Sequence, residues 1–325
     1  LAEKILVTGG AGYVGSFSVA LLVRRGFDVV VYDNLSEGHR EAVPEGVPLE
    51  VGELADEARL RGVLEDFRPA FVMHFAASAL VGESREKPLK YFENNIANGV
   101  RLVRSMLAAD VRSIVFSSSA AVYGEPSEVP IPEDHPKAPV NPYGYTKLAF
   151  ERFLEYCEAA HGLHSVCLRY FNASGAAGHL GEDHKPETHV LRAAGGQLSR
   201  FSVLGDDYPT EDGTCVRDFI HVSDLADAHV RALDVLRRAG SDRINLGNGK
   251  GFSVLEVLKV AEKVTGRPIP YEFAPRRKGD PAVLVASAAR AARVLGWAPE
   301  FTSLEDIVKS AWEWHSAHPR GYGQG

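Results

Sequence analysis

The chain has 325 residues and a formal charge of −7, enough for one large domain or two moderate ones with a substantial core. An acidic balance without a basic block argues against a nucleic-acid surface, while local arginines could still hold an anionic small molecule. No apolar run approaches the roughly 18 residues of a membrane span, no signal stretch is read, and Cys157, Cys167 and Cys215 have neither metal nor redox spacing, so the expected setting is the reducing cytoplasm.

Lys4-Ile5-Leu6-Val7-Thr8 is a short apolar strand that runs into Gly9-Gly10-Ala11-Gly12-Tyr13-Val14-Gly15, and a helical pattern follows to Arg25. Strand, glycine turn and helix form the context of a dinucleotide-binding fingerprint, here with its glycines spaced three and three. Gly9 permits the tight turn, Gly12 lets a pyrophosphate approach the backbone, and Gly15 lets the helix pack closely; the helix N-terminus then faces the phosphates. A second strand, Asp28 to Tyr32, ends at Asp33-Asn34, with the acid 18 residues past Gly15. Such an acid accepts both ribose hydroxyls of an adenosine and repels a 2′-phosphate, which favours NAD over NADP.

Further units alternate strand and helix: a strand at Leu49–Val51, a helix over Glu57–Phe67, a strand at Phe71–Phe75 leading into Ala76 and Ala77, a long helix from Pro88 to about Ala109 carrying Asn94, and a strand at Ser113–Phe116 opening into Ser117-Ser118-Ser119. The pattern predicts a doubly wound parallel sheet with its ligand at the carboxyl ends of the strands.

Asn141-Pro142-Tyr143-Gly144-Tyr145-Thr146-Lys147 places a phenol and an ammonium four residues apart near a helix start, on one face. A free phenol titrates near pH 10, and a neighbouring cation favours the phenolate. That pairing suits a tyrosine that takes a proton from an alcohol losing hydride. A strand at His164–Arg169 follows. From Tyr170 to Glu187 the chain reads as a loop; beyond it come a helix over about Val222–Arg238, a strand at Ile244–Leu246, and helix starts with capping-box residues at Ser253/Glu256 and Ser303/Asp306. The expected division is a nucleotide-binding domain over residues 1–175 and a smaller mixed α/β substrate lobe over 176–325, some segments of which are expected to pack back on the first domain. His179, His184 and His189 match no metal-ligand spacing, so no metal is expected.

The stretches VTGGAGYVGS, YDNLSEGH, HFAAS, FSSSAAVYG, NPYGYTK, LRYFNASGA and DDYPTEDGTCVRDFIHVSDLADAH resemble the extended short-chain dehydrogenase/reductase family, and within it the UDP-hexose 4-epimerases, over almost the whole chain. The resemblance implies a Rossmann-like fold, a homodimer, and Tyr143, Lys147 and Ser119 as the catalytic set. It implies NAD on Gly9, Gly12, Tyr13, Val14, Gly15, Asp33, Asn34, Ser36, Glu53, Leu54, Phe75, Ala76, Ala77, Asn94, Tyr143, Lys147 and Tyr170. A UDP-sugar is expected on Ser119, Tyr143, Phe171, Asn172, His189, Val190, Arg217, Arg277 and Asp280. The implied activity interconverts UDP-galactose and UDP-glucose by transient oxidation at carbon 4.

Relatives on the same scaffold differ at specific positions. Sugar-nucleotide dehydratases carry an acid pair, and decarboxylases a glutamate, where this chain has Ala120 and Ala121. A UDP-glucuronate 4-epimerase and a non-catalytic NAD-sensing protein remain alternatives. Three departures stand out: Glu53 in place of an aspartate, Phe219 in place of a tyrosine, and a segment from Val190 to Leu204 about one helical turn short. Leu284 falls where the family limits bulk at the sugar's 2-substituent, so N-acetylated UDP-sugars are expected to fit as well.

Overall fold

A computed structural model describes residues 2–181, 189–238, 240–277 and 279–322. Strand β1 (Lys4–Thr8) is apolar on both faces and is nearly fully buried, as a parallel strand covered by helices on both sides must be. It leads through the glycine turn into α1 (Tyr13–Arg24), then β2 (Asp28–Asp33), β3 (Leu49–Val51), α2 (Glu57–Phe67) and β4 (Phe71–His74). A helix that the sequence pattern did not suggest, α3 (Val81–Glu86), precedes the expected long one. The latter is broken into α4 (Pro88–Tyr91), a widened π-type turn over Phe92–Ala97, and α5 (Asn98–Ala108). Strand β5 (Ser113–Ser119) ends in a 3-10 turn over Ala120–Val122, and the long helix α6 (Pro142–His161) leads to β6 (His164–Tyr170).

Part of the expected loop after Tyr170 is strand β7 (Asn172–Ser174), which pairs in parallel with Phe219–His221. Then follow α7 (His189–Ala194), β8 (Phe201–Leu204), β9 (Val216–Arg217), β10 (Phe219–His221), α8 (Val222–Arg237), β11 (Asp242–Leu246), β12 (Phe252–Ser253), α9 (Val254–Thr265), β13 (Tyr271–Ala274), β14 (Val283–Leu284), α10 (Ala289–Leu295) and α11 (Leu304–Ala317). The capping box at Ser253 is complete, with Glu256 returning to the Ser253 N–H; at Ser303 the side chain accepts from Asp306, without the reciprocal bond.

The main sheet has seven parallel strands in the order β11-β6-β5-β4-β1-β2-β3. The order in which the chain adds strands reverses at β1, whose neighbours are β2 and β4. That reversal opens a crevice at the carboxyl end of β1, where the glycine turn lies. Two apolar clusters cover the faces, one including Val7, Val31, Val115, Leu168 and Leu225, the other Leu6, Val72, Ile114, Phe150 and Leu154. Although late in sequence, β11 pairs with β6 along Asp242–Leu246 and α8 packs on α1, so both belong to the body of the main sheet. A third cluster, with Leu191, Val203, Leu258, Ile269 and Leu304, forms the core of the smaller lobe.

Candidate active site

Three glycines shape the turn after β1. Gly9 has φ +74°, and a Cβ there would lie 2.4 Å from the Ala76 nitrogen. A Cβ on Gly15 would lie 2.1 Å from the Gly9 carbonyl oxygen, so only hydrogen permits this approach of helix to turn. At Gly12 a Cβ would meet only the Gly9 oxygen at 3.4 Å; the fold leaves that side open, as a pyrophosphate needs. Gly12 is the N-cap of α1 and offers no side-chain cap, so the first N–H groups of the helix point at the crevice.

Asp33, at the end of β2, accepts the Ala11 N–H at 3.0 Å and the Leu35 N–H at 2.9 Å. Burial raises its pKa, and those two N–H groups act against the rise. Leu35 takes φ +59°, a conformation rare outside glycine, fixed by this bond and by Asn34, whose amide oxygen accepts the Ser36 N–H at 3.0 Å. Asn34 also donates to both oxygens of Glu53 at 3.1 Å. Asp33, Asn34, Ser36 and Glu53 thus form one polar corner beside a backbone cradle. These residues fit an adenosine with its pyrophosphate, which is the chemistry NAD presents to this crevice.

On the other side of β1 the strand ends converge on α6. Asn141 caps that helix by accepting the Gly144 N–H at 2.8 Å, a cap worth about 1 kcal/mol. Gly144 lets the helix start press against the turn after Ser119: a Cβ there would lie 2.3 Å from the Ala121 oxygen. This is how Tyr143 and Ser119 come to the same rim. Ser119 Oγ accepts the Ala121 N–H at 3.2 Å, which leaves its proton to donate.

Lys147 is buried, and its Nζ donates to the Ser117 carbonyl at 2.7 Å. The ammonium lies 4.9 Å from the Phe116 ring centre and 5.8 Å from that of Tyr143. Desolvation pushes its pKa down to about 7, with Glu151 pulling the other way. Tyr143 packs edge-on to Tyr91, with ring centres 6.5 Å apart. Tyr91 is held in turn by Leu80 O at 2.6 Å and Glu83 at 3.1 Å.

Tyr170, at the end of β6, shares a short hydrogen bond with Ser117 Oγ, and Phe75 lies across from it, both against the buried His229 ring. Asn94 donates to Ser78 Oγ at 3.1 Å, while Leu54 is buried and Ala76 and Ala77 follow β4. The smaller lobe brings Arg217, Arg277 and Asp280 together. Arg217 lies 4.0 Å and Arg277 3.8 Å from the Asp280 carboxylate, contacts too long for hydrogen bonds. Leu284 stands directly opposite Arg217 in the β14/β9 register and packs with Tyr123 and Phe171. Asn172 opens β7. Val190, in α7 beside His189, lines an apolar cleft with Tyr13 and Gly175, and neither Arg217 nor Arg277 is among the residues that line it.

The sequence reading missed several supporting groups. Asn95 accepts the Ser78 N–H at 2.8 Å and donates to Thr146 Oγ1 at 3.1 Å, locking the start of α6 to the loop after β4. In the sequence Asn95 is only a polar residue within a helical pattern; the burial that demands partners appears in the fold alone. Asp218 is buried and accepts three N–H groups, from Asn248, Gly249 and Ala286; burial pushes it up to about 6. Among the described residues no group of three or more His, Cys, Asp or Glu side chains is placed to hold a metal; His184 lies outside the described residues. No helix among them is long and apolar enough to cross a membrane.

The sequence matches the NAD dependent epimerase/dehydratase family over residues 5–247. The chain belongs to that family. It is 53% identical over 325 residues to the UDP-glucose 4-epimerase of Halalkalibacterium halodurans, covering 98% of this chain and 97% of that protein. Its fold is similar to the Bifidobacterium longum UDP-glucose 4-epimerase solved with NAD+ and UDP (TM-score 0.94, 40% identity, covering 98% of this chain and all of that one). It is also similar to the Campylobacter jejuni UDP-Glc/GlcNAc 4-epimerase (TM-score 0.86, 39% identity, covering 97% of this chain and all of that one). As an NAD-dependent epimerase family member with relatives this close, the chain is an isomerase that uses NAD.

Proposed function

We propose that this family member interconverts UDP-glucose and UDP-galactose, with Tyr143, Lys147 and Ser119 acting on the sugar's 4-hydroxyl. The observation that carries the reading is the buried Lys147 ammonium beside the Tyr143 ring, on a helix pressed against the turn that bears Ser119. A cation there favours the phenolate, so Tyr143 takes the 4-hydroxyl proton and later returns it. The Ser119 proton, free to donate, steadies the same oxygen as it becomes a carbonyl. NAD, when bound, accepts the carbon-4 hydride and gives it back. The polar corner at Asp33 and the uncapped start of α1 would hold its adenosine and pyrophosphate, with Phe75, Ala76, Ala77, Asn94 and Tyr170 toward its other end.

Arg217 and Arg277 supply guanidinium donors for the UDP diphosphate, which an otherwise acidic protein needs. Phe171, Asn172, His189, Val190 and Asp280 complete the proposed substrate set. The diphosphate is gripped and the hexose is loosely held, so the 4-keto sugar turns and presents its other face before reduction. Elimination lacks its machinery, since Ala120 and Ala121 offer no acid or base. Identity near 50% to UDP-glucose 4-epimerases supports the neutral hexose over the glucuronate. The intermediate bulk of Leu284, opposite Arg217, supports extending the proposal to UDP-N-acetylglucosamine.

The decisive experiment incubates the purified chain with UDP-galactose and no added cofactor, then separates the products. UDP-glucose is expected, and none from Tyr143→Phe. A Tyr143→Phe variant with wild-type turnover refutes the assignment.

The homodimer is proposed to pair through α4 to α6. Tyr91 and Phe150 are in the core, with Phe153 packed against it. The outward apolar face consists of Leu89, Phe92, Tyr145 and Tyr156, with Phe92 and Tyr145 stacked 5.7 Å apart. A two-fold dimer would cover it; a monomer in sedimentation excludes it. Three free thiols, two of them buried, suit a reducing, cytoplasmic setting.

A further inference from the structure

The nearest carboxylate to Lys147 along α6 is Glu151, one turn on and on the same face. It is almost completely buried, yet it does not pair with the lysine. Arg169 of β6 takes both its oxygens, at 2.9 and 2.6 Å, and the Ser118 hydroxyl takes one of them as well. Arg169 is fixed in turn by the Tyr123 hydroxyl at 3.0 Å and the Glu133 carbonyl at 3.3 Å. Tyr123 continues to Asn245 at 2.6 Å. A buried carboxylate with a neighbouring ammonium would ordinarily form an ion pair with it. Here the arginine holds it away, and Lys147 is left on a neutral carbonyl with its charge directed at Tyr143.

We propose that Glu151 and Arg169 are positioning residues that set the proton affinity of the Lys147–Tyr143 pair. Glu151 keeps a proton on the pair, and Arg169 limits that pull and prevents Glu151 from capturing the ammonium. The inference rests on the proposed role of Tyr143 and Lys147.

Other charged or titratable groups face this cluster. From β4 comes His74, which is fully buried and held neutral by desolvation, with Lys147 acting in the same direction. From β6 come Cys167 and Tyr170, and from α4 Tyr91, all raised by burial. Lys137 and Arg152 both feel the charges of Glu151 and Arg169, and Arg243 of β11 donates to the Glu151 backbone. None of these side chains bonds to the Glu151 carboxylate, so the Arg169 fork is its principal counter-charge.

The test is the pH dependence of kcat for UDP-galactose conversion by the cofactor-loaded enzyme. Glu151→Gln leaves Arg169 without its counter-charge and moves the rising limb to lower pH. Arg169→Met leaves Glu151 to the lysine and moves the limb to higher pH. For charges one helical turn apart at an effective dielectric near 20, each displacement is about one to two pH units. Glu151→Gln combined with Arg169→Met buries no unpaired charge and restores the wild-type limb, and Arg169→Lys leaves it within about half a unit. Circular dichroism and thermal unfolding establish which variants fold, and either single variant suffices for the sign. A limb that stays in place in a folded single variant, or that moves the same way in both, overturns the proposal. Unchanged turnover of Tyr143→Phe refutes instead the reading on which it rests.

Discussion

Acidification should destabilise this protein through three histidines buried without charge. His74 is pushed down to about 3 by desolvation and by Lys147, and His221 and His229 to about 4 by desolvation. His229 Nδ1 donates to Leu225 O at 2.8 Å, and its buried Nε2 has no partner among the described residues. Each folded pKa lies below the unfolded value near 6.5, so the unfolded chain binds the proton first. The stability these groups preserve is complete above about pH 6.5 and is lost as pH falls toward their folded values. Between pH 7 and pH 5 each costs about 2 kcal/mol, or about 6 kcal/mol for the three. Asp218, with its folded pKa near 6, works in the opposite sense. Its buried charge is relieved by protonation, and it offsets a little over 1 kcal/mol of the loss. The four groups together leave a loss of about 4 to 5 kcal/mol against a total stability of roughly 5–15, and Asp33, Asp224 and Glu133, also raised by burial, act in the same direction as Asp218. Urea unfolding at pH 7 and pH 5, at constant ionic strength, measures this directly. The midpoint should fall sharply at pH 5, and His229→Leu should remove about a third of the histidine contribution. A midpoint unchanged or higher at pH 5 refutes the reasoning.

Gly15→Ala places a methyl 2.1 Å from the Gly9 carbonyl, so it should lose both thermal stability and bound NAD. Gly12→Ala meets nothing closer than 3.4 Å and should retain the wild-type melting temperature of the cofactor-free chain, while releasing far less NAD on acid precipitation of the purified protein. Lys147→Met removes an ammonium whose burial, with a pKa near 7, costs about 4 kcal/mol at pH 7, and forfeits a hydrogen bond worth about 1. The cofactor-free variant should therefore withstand more urea while turnover falls at least about 100-fold; a less stable variant contradicts the desolvation argument. Leu284→Tyr adds bulk opposite Arg217 and should lower kcat/KM for UDP-N-acetylglucosamine at least about 10-fold, with UDP-glucose changed far less. Equal losses on both substrates would remove Leu284 from the specificity argument.

The division between what the sequence disclosed and what it withheld follows the range of the forces involved. The β1 turn was readable because its requirements are local: a positive φ at Gly9, a close approach at Gly15, and an acid at the end of the next strand. The α6 pair was readable for the same reason, since four residues along a helix fix a geometry. What stayed hidden was long-range. Nothing near Glu151 in the sequence announces Arg169, 18 residues on, or the hydroxyls of Ser118 and Tyr123. Periodicity read the Pro88–Ala108 stretch as one helix, because a π-type turn adds a residue without disturbing composition. Its reason becomes visible only when Asn95 is seen reaching Ser78 and Thr146.

The same contrast explains how one helix can serve two chemistries. At its start, α6 presents Tyr143 and Lys147 to the crevice, held by Asn141, Gly144 and Asn95. One turn later it sends a carboxylate into the core, where Arg169 neutralises it. A buried ion pair of this kind adds little to stability compared with a well-packed apolar pair, since desolvation consumes most of the attraction. Packing alone therefore does not account for a guanidinium and a carboxylate at this position. Their effect on the proton affinity of the neighbouring ammonium does, because a charge one turn away inside the protein shifts that titration even where the ion pair itself adds little net stability.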